Sequence, residues 1–389
     1  MLSIKNSYTH RIFKYANLDK ISIICAFLFS FSSNIFSQKD SLYDKLLKMK
    51  EPTYKFDNFN FSQNVKTVQL SKYGTETTMP VIVLHSDNQL ELHFDDLNAS
   101  VRNYCYTIVH CNADWTASSL FSSEYADGFN ENTINDYRFS SNTLIRYIHY
   151  QLTFPNFDIK PLVSGNYALI VYLDYNRDSV VFTRRFFVVE PLVGIEAKVR
   201  QASLSDLQKC CQEIDFIVHQ EGLTILDPYY DVKINVEQNG RTDNCISDLK
   251  PKYVKDQEMV YDFETENIFG GGVEFREFDI RNLNYLGINV NQIQTIDSTY
   301  HIELVTDEPR SYKKYNYSKD INGNYFIRAQ TANDPLLDSE YAWVYFTLKL
   351  PFELLSNKVF VFGALADWNF SPVNQMVYNA EKKMYELKM

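Results

Sequence analysis

Apolar and polar residues alternate over long stretches of the chain, beginning with residues 90–95, where apolar residues occupy the even positions and polar residues the odd positions. A period of two is typical of a half-buried strand. The next predicted strand, residues 104–111, places its even and odd positions on opposite faces. His110 and Cys111 resemble a catalytic base beside a nucleophile, but neighbours on a strand point to opposite faces and cannot share a proton.

Strand-like alternation recurs further along the chain, with turn residues between the segments, at residues 147–154, 167–174 and 180–189. The last two segments have the shape of the final strands of an immunoglobulin-like domain. Alternate residues of the first of them would face inward, namely Tyr167, Leu169, Val171 and Leu173. Because Pro191 then ends the pattern, we predict a first β-sandwich domain at residues 38–190.

The pattern restarts after residue 190 and predicts further strands at residues 212–218, 230–238, 257–263, 274–280, 300–306, 325–329 and 341–350. A short helix is expected at residues 204–211. Gly270, Gly271 and Gly272 are interpreted as a turn rather than a phosphate-binding loop, because no Lys-Ser or Lys-Thr pair follows them. These segments predict a second β-sandwich domain at residues 191–350.

Residues 358–389 begin a third pattern, which consists of a strand, a glycine turn, a loop with Trp368 and two more short strands. The pattern resembles the opening of a carbohydrate-binding sandwich of the glycogen-binding type, and Trp368 is therefore the candidate glycan-stacking residue. We predict an incomplete third sandwich at residues 351–389; alternatively, these strands complete the preceding sheet. The predicted fold class is all-β, with tandem immunoglobulin-like β-sandwich domains and a partial C-terminal E-set-like sandwich.

The N-terminal segment has the composition of a secretory signal peptide. Residues 1–20 contain four basic residues and one acidic residue, residues 21–31 form an apolar run, and residues 32–37 include three serines. A membrane anchor is the alternative, but the apolar run is shorter than the roughly 20 residues that span a bilayer. We predict a signal peptide at residues 1–37, and a soluble exported protein without direct membrane insertion.

The chain is acidic, with 49 Asp and Glu against 38 Lys and Arg and a formal net charge of −11. Loss of residues 1–37 would make the charge more negative, because that segment is basic. Such a surface repels nucleic acid, which we therefore exclude as a partner class. Five of the six cysteines follow the signal peptide, and this odd, low number does not indicate a disulfide scaffold.

Motifs of metalloproteases, serine hydrolases, P-loop NTPases and dithiol redox proteins are absent from the sequence. The histidines are scattered, and His85 with Asp87 comes nearest to the spacing of metal ligands. Asp114 beside Trp115 is a candidate acid next to a sugar-stacking platform, but a turn aspartate beside a packed tryptophan is the favoured interpretation. We predict no catalytic residues, no metal and no cofactor, and a protein that is not an enzyme.

Several long strings of residues occur in a fixed order: MPVIVLHSDNQLELHFDDLNASVRNYCYTIVHCNADW, then GFNENTINDYRFSSNTLIRYIHYQLTFPN, SGNYALIVYLD with TRRFFVVE, GGVEFREFD and DINGNY. In that order they resemble the plug protein family of the type IX secretion system, from about residue 52 to residue 350. The resemblance implies a periplasmic protein associated with the outer membrane, where similar proteins close the periplasmic end of the translocon β-barrel. That barrel is the expected partner. The alternative is a carbohydrate-binding β-sandwich protein of the cell envelope.

A protein that covers an opening needs surface loops that hold its partner. The candidate loops are rich in aromatic residues and Asn, and they lie at residues 115–121, 129–137 and 283–292. Aromatic anchors often dominate the energy of an interface. The predicted contact residues are Trp115, Phe121, Phe129 and Tyr137, and for each of them packing inside the protein is the alternative.

Overall fold

The computed structural model describes residues 2–4, 55–220, 222–271, 275–310, 313–314, 319–330 and 333–389. The predicted signal peptide lies outside the described residues except for strand β1, Leu2–Ile4. Most of the regular structure in the described residues is β-strand, arranged in several sheets, which confirms the predicted all-β class. No helix in the described part of the chain is long and apolar enough to cross a membrane.

The first unit spans residues 55–190 and is built from two facing sheets. Its elements are β2 Phe59–Asn60, β3 Val65–Lys72, β4 Val81–Val83, β5 Leu90–Asp96, β6 Tyr104–Cys111, α1 Ser122–Tyr125, β7 Ala126–Gly128, β8 Asn132–Thr133, β9 Asp136–Phe139, β10 Ile148–Phe154, β11 Ile159–Pro161, β12 Gly165–Leu173 and β13 Asn176–Val189. One sheet has the order β3-β5-β10-β9 and the other β2-β13-β12-β6-β8, with β4 beside β13. Strands β7 and β11 form a separate pair.

The core of the first unit follows from the alternation of its strands. Leu92 and Phe94 on β5 are fully buried and share one cluster with the inward-facing residues Tyr167, Leu169 and Val171 of β12. The opposite faces of β6 and β12 are also buried, in a smaller second cluster. The central strands of this sheet are therefore covered on both sides.

The second unit spans residues 194–270 and has its own core around Phe216, Val218 and Tyr261. Its elements are β14 Gly194–Gln201, β15 Cys211–His219, α2 Pro228–Asp231, β16 Asn235–Gln238, β17 Arg241–Ser247, β18 Tyr253–Lys255, β19 Glu258–Tyr261 and β20 Ile268–Gly270. The main sheet has the order β14-β15-β19-β18, with β20 also pairing β15, and β16 pairs with β17.

Two local predictions in the second unit are wrong. The expected helix at residues 204–211 is a series of hydrogen-bonded turns, although the amides of Gln208 and Cys211 do reach carbonyls four residues back. The expected strand at residues 230–238 begins with α2. This helix starts where it does because the carboxylate of Asp227 accepts hydrogen bonds from the first free amides and Pro228 occupies the first helical position.

The third unit is a seven-stranded sheet with the order β1-β24-β25-β26-β23-β22-β21. Its further elements are β21 Val290–Ile296, β22 Thr299–Leu304, α3 Pro335–Asp338, β23 Ala342–Lys349, β24 Val359–Val361, a 3₁₀ turn Ala364–Ala366, β25 Gln375–Asn379 and β26 Met384–Lys388. Phe346, Leu348, Val359, Val361 and Met376 form its core.

The predicted domain boundary at residue 350 is wrong, because β23 pairs antiparallel with β26 across it. Residues 351–389 thus complete the preceding sheet, which was the alternative interpretation. The predicted second domain, residues 191–350, contains parts of two separate cores. The strands expected at residues 274–280 and 325–329 are not formed in the described residues of these segments, which are irregular.

Candidate functional site

The predicted contact residues have different surroundings in the structure. Phe121 is 77% exposed and Phe129 is 65% exposed, and Tyr137 also lies on the surface. Trp115 is only 8% exposed. Its indole packs edge-to-face on Phe187 and lies under a guanidinium group 4.3 Å from the ring centroid. Trp115 therefore has the internal packing that was the alternative for this residue.

Three exposed phenylalanines lie on adjoining segments, and we call Phe121, Phe129 and Phe157 the aromatic tip. Phe121 precedes α1, Phe129 follows β7, and Phe157 lies between β10 and β11. The amide of Phe129 donates a hydrogen bond to the carbonyl of Asp158 at 2.9 Å. The side-chain amide of Asn130 donates to the hydroxyl of Ser122 at 3.0 Å. Phe157 is 91% exposed. It was missed in the sequence, although its place after the Pro155-Asn156 turn indicated a loop.

Gly128 explains how the loops that carry Phe129 and Phe157 come together. Its φ is +107°, and a Cβ at this position would overlap the carbonyl oxygen of Asp158. Only glycine adopts this conformation at such a close approach without strain. The carboxylate of Glu124 accepts a hydrogen bond from the amide of Phe121 at 2.6 Å. Asp127 directly precedes Gly128 in the sequence. Lys160 lies opposite Asp127 in the register of β7 and β11, so groups of both charges surround the aromatic tip.

A second site, which is polar, lies on the face of β5 and β10 that points away from the core of the first unit. We call its residues, Glu91, His93, Asp95, His149 and Gln151, the covered face. Strand register places His149 opposite Asp95 and Gln151 opposite His93. Asp95 and His149 are almost fully buried. Polar residues on this face are therefore shielded from water, in contrast to the half-exposed strand that the alternation predicted.

Hydrogen bonds connect the covered face into one chain of groups. His149 Nδ1 lies 2.7 Å from Asp95 Oδ1, and His149 Nε2 lies 3.0 Å from His93 Nδ1. His93 Nε2 lies 3.4 Å from a carboxylate oxygen of Glu91. The other Glu91 oxygen accepts a hydrogen bond from the Gln151 amide at 2.6 Å. The chain of groups thus runs from a buried carboxylate to one at the edge of a cleft.

The protonation of this chain follows from its geometry. Burial lowers the pKa of His93 below its ordinary value, and the Glu91 carboxylate opposes this shift. When both imidazoles are neutral and Asp95 accepts from His149, His93 donates through Nδ1. His93 Nε2 and a Glu91 oxygen then face each other as two acceptors.

The third unit covers this face with residues 334–341, which we call the cover segment. The hydroxyl of Tyr341 donates to Asp95 Oδ2 at 2.6 Å, and Thr67 donates to the same oxygen at 2.8 Å. Burial and the neighbouring Asp95 raise the pKa of Tyr341, so its hydroxyl keeps the proton that it donates. The buried carboxylate of Asp95 is thus satisfied by both units.

Further contacts hold the cover segment against the first unit. The hydroxyl of Tyr147 lies 3.0 Å from two carbonyl oxygens of the segment, those of Leu336 and Ser339. The carboxylate of Glu340 accepts hydrogen bonds from the amides of Leu144 and Ile145. These bonds satisfy backbone groups on both sides, so the contact between the units is specific in register.

A cleft of about 790 Å³ remains beside the covered face, where the first and third units meet, and Asn239 and Gly240 of the second unit also line it. Its wall includes Glu91 and His93 from the covered face and Arg184, whose guanidinium lies 3.1 Å from Asp367 of the third unit. This ion pair has one buried partner and one partly exposed partner. The cleft is therefore lined by groups that already bond to one another.

Trp368 also lines this cleft, but its ring is largely engaged by the protein. The guanidinium of Arg241 lies 5.1 Å from the ring centroid over one face, and Phe275 and Phe362 contact the indole edge-to-face. A sugar ring that stacks on tryptophan needs an open face. The face under Arg241 is not open, which weakens the expectation of glycan stacking at this residue.

Three carboxylates in the second unit come close enough to suggest a metal site, those of Glu213, Asp215 and Asp262. The guanidinium of Arg200 lies 2.7, 2.5 and 3.3 Å from their respective oxygens. One cationic side chain therefore already pairs with all three carboxylates. Neither this cluster nor the covered face was identified from the sequence, although Glu91, His93 and Asp95 have the i, i+2, i+4 spacing of one strand face.

Comparisons with known proteins agree with this architecture. Residues 65–190 match the family model described as the type 9 secretion system plug protein 1st domain. The chain is also 36% identical to a hypothetical protein from Parabacteroides merdae ATCC 43184, and the crystal structure of that protein has a TM-score of 0.84 with it. This match covers 86% of the present chain and 84% of the other. No curated protein matches the chain.

Proposed function

The chain belongs to the type 9 secretion system plug protein family, and from this premise we propose that it closes the periplasmic end of the outer-membrane translocon β-barrel of that system. The match of residues 65–190 to the first domain of plug proteins is the observation that carries this proposal. The sequence adds a predicted signal peptide, which suits a periplasmic protein held at the outer membrane.

The ties between the units support a plugging role. A body that covers an aqueous opening must keep its shape, and here the buried Asp95 and the cover segment join the first unit to the third. The pair of Arg184 and Asp367 adds a second link. Breaking a buried, hydrogen-bonded contact of this kind leaves polar groups without partners, which is costly. The first and third units therefore act as one body.

The role we propose needs no catalysis. The surroundings of Asp114, the candidate acid from the sequence, support a structural role for this residue. Asp114 Oδ1 accepts hydrogen bonds from the Thr116 hydroxyl at 2.6 Å and the Thr116 amide at 3.1 Å. The bond from the Thr116 hydroxyl lowers the pKa of Asp114. A general acid needs its proton near neutral pH, so Asp114 is suited to fixing a turn.

The aromatic tip is the surface that we assign to the translocon. Exposed large aromatic residues on adjoining loops are typical of interaction sites, and buried aromatic anchors commonly carry interface energy. The charged groups around the tip include Glu124, Asp158 and Lys160, and they favour a partner surface with complementary charged and polar groups. The exposed loop at residues 283–292, with Tyr285 and Leu286 on its surface, is a second candidate contact.

Affinity capture tests the proposal. The tagged chain is purified in mild detergent from outer membranes of its native host, and co-purifying proteins are identified by mass spectrometry. We expect a very large β-barrel translocon with the unaltered chain. Recovery of the chain alone, or with polysaccharide, would contradict the plug role.

A variant of the aromatic tip tests the contact surface in the same experiment. We expect the combined changes Phe121→Ser, Phe129→Ser and Phe157→Ser to reduce recovery of the barrel at least about tenfold, since each anchor typically contributes more than about 1 kcal/mol. The matched control is Phe352→Ser with Leu355→Ser, which removes two other exposed apolar side chains. Equal losses in both variants would show that the tip is not the contact.

A further inference from the structure

Strand β14 is an open edge of the second unit. Among the described residues it pairs only with β15, so its outer side presents unpaired backbone groups along eight residues. All its side chains from Ile195 to Gln201 are exposed. Long open edges readily pair with other strands, and folded proteins usually shorten or cover them.

The apolar face of this strand continues the core of the second unit. Ile195, Ala197 and Val199 lie opposite Val218, Phe216 and Ile214 in the register of β14 and β15. Phe216 and Val218 are buried in the core, whereas Ile195 is 66% exposed and Val199 is 61% exposed. The apolar face of the sheet therefore continues from buried residues on β15 to exposed residues on β14, which no described residue buries.

The sequence of β14 is complementary to itself. When two copies run antiparallel with Ala197 opposite Ala197, Ile195 lies opposite Val199 on the apolar face, and this pair occurs twice. On the other face, Glu196 lies opposite Lys198, also twice. Opposite charges and apolar pairs directly across two strands stabilise their pairing.

Neighbouring registers do not share this property. A shift that centres the pairing on Lys198 places two lysines opposite each other, and a shift that centres it on Glu196 places two glutamates opposite each other. Like charges directly opposite destabilise a strand pair. Arg200 is engaged by the three carboxylates within its own chain. The register centred on Ala197 is thus specified by charge as well as by apolar contact.

We propose that two copies of this chain pair edge to edge through β14, about a twofold axis at Ala197, and so join their second units into one continuous sheet. The interface is isologous, because each copy supplies the same strand. It is small compared with stable dimer interfaces, and we expect a dissociation constant in the micromolar range. This dimer does not depend on the proposed plug role.

Charge exchange across the strand tests the dimer. Sedimentation velocity is measured on the chain without its predicted signal peptide, from about 1 μM to about 1 mM, which spans the expected constant. Lys198→Glu would place Glu opposite Glu196 at two points and should weaken the dimer at least about tenfold. The double change Glu196→Lys with Lys198→Glu swaps the two charges, keeps the register and should restore the original constant.

Three results would overturn the proposal. The unaltered chain could remain a monomer over the whole range, the single variant could dimerise as well as the unaltered chain, or the double variant could be as weak as the single one. Thermal unfolding of each variant shows whether the fold is kept. Lys198 lies opposite Asp215 of β15, so Lys198→Glu is expected to lower the unfolding temperature similarly in the single and the double variant. The comparison of these two variants therefore isolates the pairing between copies.

Discussion

Asp95 shows how single residues bind the units to one another. Its carboxylate accepts hydrogen bonds from His149 and Thr67 within the first unit and from Tyr341 of the third. The sequence shows the alternation that places Asp95 on one face of β5, but the residue that covers it lies 246 positions away. A polar strand face and a covered polar face have the same local pattern, so this site could not be predicted.

Removal of the Tyr341 hydroxyl tests this link. We expect Tyr341→Phe to lower the free energy of unfolding by about 2 kcal/mol, because hydrogen bonds to a charged group contribute about 1.5–3 kcal/mol. Urea unfolding measures the change. The control is Tyr378→Phe, whose hydroxyl makes no hydrogen bond to the described residues and which packs against Tyr385. Equal effects in the two variants would mean that the bond to Asp95 does not stabilise the fold.

The histidine chain predicts a pH dependence. Since burial lowers the pKa of His93 in the folded state, the unfolded chain takes up this proton first as the pH falls below 6.5. Acidification through this range therefore reduces stability. We expect the free energy of unfolding to fall between pH 7 and pH 5.5, and to fall less steeply in His93→Gln. Identical slopes in the two proteins, measured by urea unfolding at each pH, would show that His93 does not contribute.

At the scale of elements, alternation located the strands that pair and failed where an extended segment packs without pairing. Residues 90–95 form β5 as predicted, since their apolar positions all face one core. Phe278 and Ile280 also pack against a core, that of the third unit, yet their segment joins no sheet. The short helix α2 has a signal in the sequence, because Asp227 caps its first amides and Pro228 occupies its first position.

A substitution at Gly128 tests whether the aromatic tip depends on the pairing of β7 with β11. A methyl group at this residue would overlap the backbone of Asp158, so Gly128→Ala should separate the loops that carry Phe129 and Phe157. Gly74 also has a positive φ, but a Cβ there would meet no atom within 4 Å. We expect Gly128→Ala to cost at least about 1 kcal/mol more than Gly74→Ala, which has the backbone strain alone. Thermal unfolding provides the comparison, and equal costs would contradict the close approach.

At the scale of the whole molecule, three cores follow one another along the chain, but contacts distant in sequence decide how the units are joined. The strands of residues 351–389 completed the third sheet, because β26 pairs with β23. The predicted boundary at residue 350 therefore lay inside that sheet. The cover segment and the Arg184–Asp367 pair then fix the third unit on the first. This joined body presents the aromatic tip.

Site-specific photo-crosslinking in the native host shows whether the aromatic tip contacts the translocon. A photoreactive phenylalanine analogue replaces Phe129 in the aromatic tip, and in a second strain it replaces Leu355, which is 95% exposed. If the aromatic tip contacts the translocon, irradiation links position 129, and not position 355, to the outer-membrane β-barrel of the type 9 secretion system. Crosslinks from neither position to that barrel, or from both equally, would contradict the assignment of this protein as its plug through the aromatic tip.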